Sequence, residues 1–294
     1  MSSTRAAEVD YVSTLPVTDT APERPNRDAT TAGAARLRVS LKRLAMPLLA
    51  WPLPLLLLAL WWLGARQQWI SPQVLPSPEQ TWQAFLQTAA SGELQRSALI
   101  SLQRVLYGFL VGGLVGIPLG VGMGLSKTIK EYLYPTFKMI AYIPMLGWLP
   151  LLVLLVGIGE ALKIILIAKA AFVPITLNTY SGIRGVPPQY IEMARVYRFS
   201  RWQLLRRIVF PAAFPQIWSG VRYGLTQAWL LLVVVEFLAS SEGLGYLMIN
   251  GQQLFQLDLV LVAVVAVGII GFALDKLLAL IEARVLRWRR VTFK

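Results

Sequence analysis

Long apolar runs separated by short cationic connections constrain this chain more than any other feature. The runs cover Met46 to Ala65, Val105 to Leu125, Tyr134 to Ile158, Ile164 to Ile183, Ile217 to Ala239 and Leu259 to Ile281. About 20 apolar residues are enough for a helix to cross the ~30 Å hydrocarbon core of a bilayer. Every backbone N–H and C=O inside lipid needs an internal partner, so runs of this length predict helices. The sequence therefore predicts an all-α integral membrane fold of about six transmembrane helices. Composition agrees, since 56% of the 294 residues are hydrophobic and only 15% are charged, too few to dress the surface of a soluble domain.

The net charge of +13 is distributed as a membrane protein distributes it. The basic residues fall in short clusters between apolar runs rather than on one soluble face, which argues against a nucleic-acid partner. Residues 1–45, rich in Thr, Ala, Pro and Arg with no apolar periodicity over most of their length, predict a disordered basic tail ahead of a membrane domain spanning 46–294. With the tail in the cytoplasm, Lys127, Lys130, Arg184, Arg195, Arg198, Arg201, Arg206 and Arg207 fall on cytoplasmic connections, and Arg284 to Lys294 form a basic cytoplasmic end. The opposite connections carry only Arg66, Arg96, Arg104 and Lys163. The positive-inside rule then holds throughout, with both termini cytoplasmic.

The chain contains neither Cys nor His. That removes disulfide scaffolds, thiolate or imidazole metal sites, and Ser-His or Cys-His nucleophiles. A carboxylate- or Lys-based intramembrane enzyme stays open on these grounds. No Gly-x-x-x-x-Gly-Lys-Ser/Thr loop is present to cradle nucleotide phosphates.

Within the runs, Gly108, Gly112, Gly116, Gly120 and Gly124 recur every four residues on one helical face, with Pro118 among them. Small residues at this spacing let two helix backbones approach closely in lipid, either inside one subunit, the plainer reading, or at a dimer seam. Lys169, Arg222, Glu236 and Asp275 are charges within or at the edge of apolar runs, where each costs on the order of 2.5–3.5 kcal/mol at mid-bilayer. In the topology above Lys169 and Glu236 lie toward the outer ends of their spans, Arg222 and Asp275 toward the inner ends. One ion pair per leaflet is an expectation, as is Lys169 adding positive potential to an anion path; snorkelling of Lys169 and Arg222 to the headgroups is the plainer alternative. The glycines Gly243 and Gly245 read first as a tight outer turn.

The connection 184–216 is neither lipid-soluble nor a plain linker. Pro187 and Pro188 can open one short helix carrying Glu192, Met193 and Ala194, and Ser200 can cap a second, basic helix ending before Pro211. Such a pair either lies on anionic lipid or docks a soluble partner.

Glu192-Met193-Ala194, then Arg198 after three residues, then Ile208-Val209-Phe210-Pro211 after nine more, resembles the EAA loop of ABC-importer permeases. Arg198 stands where that pattern has glycine, and since a non-glycine residue in a left-handed turn costs roughly 1–2 kcal/mol, the turn is expected to be built differently here. Leu75-Pro76-Ser77-Pro78, the glycine ladder, and Glu236 with Gly243-Leu244-Gly245-Tyr246-Leu247 make the chain similar, over about Leu75 to Arg290, to the aliphatic-sulfonate, taurine and nitrate type of permease.

That resemblance implies a coupling helix between the fourth and fifth spans, with Glu192, Met193, Ala194, Arg198, Ile208 and Pro211 engaging a cytoplasmic ATPase. It implies a homodimer in the bacterial inner membrane, a dimer of separate ABC ATPase subunits that hold ATP and Mg, and a periplasmic substrate-binding protein. The chain itself would bind no cofactor or metal and hydrolyse nothing. Lys169, Glu236 and Arg222 would be path or gate residues for a small anion, a sulfonate or taurine-like acid first, nitrate or another organic anion second. An ion-gradient-driven transporter is the alternative outside the family, though the chain shows no internal repeat of its spans.

Overall fold

The computed structural model describes residues 52–69, 71 and 74–286. The expected tail, the start of the first apolar run (46–51) and the cations from Arg287 onward lie outside the described residues. Among the described residues every regular element is helical: α1 Pro52–Arg66, α2 Pro78–Ala90, α3 Glu93–Leu125, α4 Lys127–Tyr142, a 3-10 turn Met145–Trp148, α5 Leu149–Val156, α6 Glu160–Arg184, α7 Pro188–Val196, α8 Arg201–Leu204, a π turn Leu205–Val209, α9 Phe210–Ala239, α10 Leu244–Gln253 and α11 Leu257–Val285. The chain divides into two units, Met1–Ala59 and Leu60–Lys294. The first is represented by the opening turns of α1, and the packed bundle belongs to the second.

The bundle is organised around α6, whose flanks are taken by α3 and α9. All five ladder glycines of α3 face α6, and their partners advance along it in step, so the two helices run parallel. A Cβ on Gly108 would lie 2.5 Å from Ile167 Cγ2, one on Gly112 would run into the Ala168 carbonyl, and those on Gly116, Gly120 and Gly124 would come within 3.0 Å of Thr176 Oγ1, 2.7 Å of the Thr176 carbonyl and 2.8 Å of Ile183 Cβ. Glycine is what allows the backbones this approach, and the ladder is filled from within the chain. On the other flank α9 runs antiparallel: Gly220 faces Asn178, and Gly224 faces Ile175 and Ala171. Between them Val105, Ile167, Ile175, Ala228, Leu232 and Leu244 form the buried centre.

Three helical stretches among the described residues, Glu93–Leu125, Arg201–Ala239 and Leu257–Val285, are long and apolar enough to cross a membrane. The third apolar run departs from the expected straight span: α4 and the Met145–Val156 segment meet at 97°. Pro144 explains the break, since its ring disfavours helix at Ile143 and leaves that residue extended at φ −66, ψ 121. The helices Glu93–Leu125 and Arg201–Ala239 begin well before the apolar runs they contain. At 1.5 Å per residue the 33 residues of α3 extend about 50 Å, so its first turns project beyond a bilayer core.

Candidate functional site

At one end of the bundle lies the segment from α7 to α9. Ala194, 3% exposed, and the half-buried Ile191 turn one face of α7 inward, where Ile191 packs with Ile183, Val186, Val209 and Ile217. The other face is open: Glu192 and Met193 are exposed, as are Val196, Tyr197 and Trp202. An apolar row left open beside Arg195, Arg198, Arg201, Arg206 and Arg207 is a surface suited to burial against something outside this chain.

The turn that leaves α7 corrects the sequence-based expectation. Arg198 adopts the left-handed conformation, with φ 50. Its N–H donates to the Arg195 carbonyl at 2.9 Å, and the Phe199 N–H donates to the Ala194 carbonyl at 2.9 Å. These are the two bonds of a Schellman helix stop, a motif usually completed by glycine. The turn is thus kept in geometry and borne by an arginine. Ser200 then caps the next helix reciprocally: its Oγ accepts the Gln203 N–H at 3.3 Å, while Gln203 Oε1 accepts the Ser200 N–H at 2.9 Å.

Pro211 also differs from expectation, for the second helix does not end before it. The π turn Leu205–Val209, closed by the Phe210 N–H on the Leu205 carbonyl, widens the helix ahead of the proline ring, and the helix continues as α9 to Ala239. A proline in a regular helix would clash with the carbonyl four residues back, and the wide turn relieves that clash. Ile208 is half-buried and packs onto the Ile183 and Ile217 cluster. Pro211 lines an open cleft of about 420 Å³ with Gly182, Gly185, Pro187, Tyr190 and Gln216.

At the opposite end a buried ionic cluster joins α3, α6, α9 and the turn into α10. Arg104, 4% exposed, donates through Nη1 to Glu236 Oε1 at 2.7 Å and to the Glu242 carbonyl at 2.7 Å, and through Nε and Nη2 to both oxygens of Glu160 at 2.8 and 2.6 Å. Lys163 Nζ shares Glu160 Oε1 at 2.7 Å. Glu236 is fully buried and also accepts from Ser101 Oγ and from the Gly245 N–H at 3.0 Å. Gly243, at φ 111, has no room for a Cβ, which would strike the Glu236 carboxylate. The turn at Gly243 is therefore tight because it wraps a buried carboxylate.

The expected outer pair of Lys169 and Glu236 does not form. Lys169 Nζ donates to the Ile143 carbonyl at 2.9 Å and stands 5.1 Å from the centre of the Trp148 ring. Arg222 does meet Asp275, in a two-pronged pair at 2.8 and 2.9 Å, and reaches Glu282 at 3.2 Å. Sequence reasoning left Arg104 and Lys163 on outer connections, and gave no role to Ser101 or Glu160. The available signal was the series Ser97, Ser101, Arg104, Gly108, with gaps of four, three and four residues, which continues the ladder face toward the start of α3.

Comparison with known proteins adds an independent line. Residues 112–287 match the family described as binding-protein-dependent transport system inner membrane component. The chain is 37% identical over 237 residues to a Bacillus subtilis protein named for aliphatic sulfonates transport, the permease protein SsuC, covering 81% of this chain and 86% of that one. It is 35% identical over 237 residues to the taurine transport system permease protein TauC of Escherichia coli, covering 79% and 86%. Among solved structures, a chain of a crystallised amino acid ABC transporter with histidines superposes with a TM-score of 0.55 at 18% identity, over 68% of this chain and 98% of that chain, a likeness of fold.

Proposed function

The chain belongs to the family of binding-protein-dependent transport inner membrane components, and from that membership we propose that it is the membrane-spanning subunit of an ATP-driven importer of a small anion. An aliphatic sulfonate or taurine-like acid is the first choice, because the relatives named above carry those names; nitrate or another small organic anion is the second. On this reading about six spans cross the bacterial inner membrane from residue 46 onward, residues 1–45 and the C-terminus lie in the cytoplasm, and two copies enclose the path.

One observation carries the proposal: the open apolar row of α7 sits on a rigid mount. Ile191 packs α7 onto the cluster of Ile183, Val209 and Ile217 at the ends of α6 and α9, and α8 passes into α9 without an intervening loop. A push on Glu192, Met193 or Arg198 by a cytoplasmic ATPase would be delivered to both helices directly, because packed elements shift as units rather than deform. ATP and Mg would be held by that partner, and a periplasmic binding protein would deliver the substrate to the outer face. ATP-driven closure would then switch the path between outward-facing and inward-facing states. Glu236 and Arg222, both held by counter-ions, act as braces of the gate in this scheme, while Lys169 faces the path.

Co-expression with a candidate cytoplasmic ABC ATPase subunit tests the coupling role. Wild type should copurify with the ATPase and support its turnover, and Glu192→Lys should lose assembly or turnover. A Glu192→Lys chain indistinguishable from wild type in both would remove the coupling role from α7.

A further inference from the structure

The last turns of α1 mark a boundary with water. The first apolar run ends at Ala65, Arg66 follows it, and the Arg66 guanidinium stands 5.1 Å from the centre of the Trp62 ring. Tryptophans and a cation closing an apolar helix are the pattern of a span that reaches the lipid headgroups. The start of α2 is held at that level. Trp61 Nε1 donates to the Pro76 carbonyl at 3.0 Å, Trp62 Nε1 donates to Glu79 Oε1 at 3.1 Å, and Ser77 between them caps α2.

From there α2 divides lengthwise into three strips. Ala84 and Thr88 are buried on the side that packs on α11. Trp82, Phe85 and Leu86 form an open apolar strip, with the Trp82 and Phe85 rings stacked at 5.2 Å. Gln80, Gln83 and Gln87, three and four residues apart, form an exposed polar strip on the remaining flank. Glu79, held by Trp62, is the only charge on the helix. Its 13 residues extend about 20 Å, too short to cross a bilayer core. A short helix at headgroup level, open on one apolar and one polar flank, has the make-up of a helix lying in the plane of the interface.

Phe255 is a second sign at the same end of the bundle. Its N–H donates to the Gln252 carbonyl at 3.2 Å and the Gln256 N–H to the Gly251 carbonyl at 2.8 Å, the helix stop that glycine usually completes. Phe255 holds that left-handed position at φ 58 with 89% of the residue exposed, so packing within the chain does not account for it. The next residue, Gln256, lines a cleft with Ala84, Gln87 and Thr88, which sets Phe255 beside α2.

We propose that α2 is a lipid-surface helix. Trp82, Phe85 and Leu86, with Phe255 beside them, seat in the headgroup–acyl boundary of the leaflet on the side away from α7, while Gln80, Gln83 and Gln87 stay in water. The lipid surface is favoured over a soluble protein as the occupant because the bonds from Trp61 and Trp62 make the open strip continuous with the exposed apolar Leu60 and Leu63 at the end of α1. Since α2 leads into α3 through Ser91 and Gly92 and packs on α11, the seat fixes the depth of the bundle end that holds Arg104. The inference needs only that the chain spans a bilayer, and stands whether or not the importer reading does.

The chain has no cysteine, so single-cysteine variants of the full chain in phosphatidylcholine–phosphatidylglycerol nanodiscs give the test. A thiol withdrawn from water loses its reactive thiolate, so a membrane-impermeant maleimide should label Phe85→Cys and Leu86→Cys at least about tenfold more slowly than Gln83→Cys and Gln87→Cys. The wild-type chain supplies a readout that needs no variant. Photolysis in nanodiscs containing phosphatidylcholine with a diazirine on its acyl chain should leave lipid adducts on residues 82–86 and on Phe255, located by mass spectrometry of the digested chain. Equal labelling rates on the two flanks, or adducts absent from both 82–86 and Phe255, would overturn the proposal. Protection of Phe85→Cys and Leu86→Cys that appears only when a substrate-binding protein is added would also overturn it, and would give the strip to that protein.

Discussion

Arg104 and Glu236, 132 positions apart, meet through Nη1 and Oε1 at 2.7 Å with almost no access to solvent. The pair ties α3 to α9 at the end of the bundle opposite α7, and Glu160 extends the tie to α6. Removing one member strands a buried charge, which typically costs about 3–5 kcal/mol, whereas replacing both with apolar groups restores part of that.

Arg104→Met and Glu236→Leu should each therefore lower the thermal midpoint of the detergent-solubilised chain sharply. The double variant should fall short of their sum by more than about 1 kcal/mol. A double-mutant cycle with additive losses would show that the two side chains act separately.

Two neighbouring glycines on α3 should respond oppositely. A methyl at Gly112 meets the Ala168 carbonyl, Ala171 Cβ at 2.9 Å and the Phe172 nitrogen at 3.0 Å, two of the three belonging to backbone that cannot rotate aside. Gly112→Ala should destabilise by about 1–3 kcal/mol. Gly113 faces only Ile175 Cδ1 at 3.9 Å, so Gly113→Ala should leave stability within about 0.5 kcal/mol or improve it slightly. Melting temperatures and solubilised yield of the two variants check the contrast.

The ladder was legible because its signal is local and periodic: five glycines four residues apart can only face one neighbour. Lys163 and Arg104 were not legible, because a cation ahead of an apolar run looks the same whether it reaches water or a buried carboxylate on a distant helix. Glu236 stood out as a charge in an apolar run, but its partner could not be chosen between Lys169 and Arg104 without the parallel docking of α3 on α6. Pro211 misled in the opposite direction. Its usual meaning is a helix stop, and only the π turn before it, which depends on packing of Ile208 and Val209 against α6, lets the helix pass through. The bend at Pro144 was hidden because apolar residues continue on both sides of it.

Arg198 offers a test of the α7 stop. Its left-handed backbone costs roughly 1–2 kcal/mol for a non-glycine residue. Arg198→Gly should keep the turn and stabilise the chain by up to about 1 kcal/mol, net of the greater freedom glycine gains in the unfolded chain. Arg198→Val places a β-branched residue where none fits, and should destabilise the turn and weaken ATPase copurification. If Arg198→Gly assembles normally but lowers ATP turnover, the guanidinium itself contacts the partner.

The most direct test of the central account is uptake into proteoliposomes holding this chain with its ATPase, supplied with the binding protein and labelled alkanesulfonate outside. The account predicts accumulation that requires enclosed ATP, persists when ionophores collapse every ion gradient, and disappears with Glu192→Lys. Uptake that proceeds without ATP and stops when the gradients are collapsed would contradict it, and would make the chain a gradient-driven transporter.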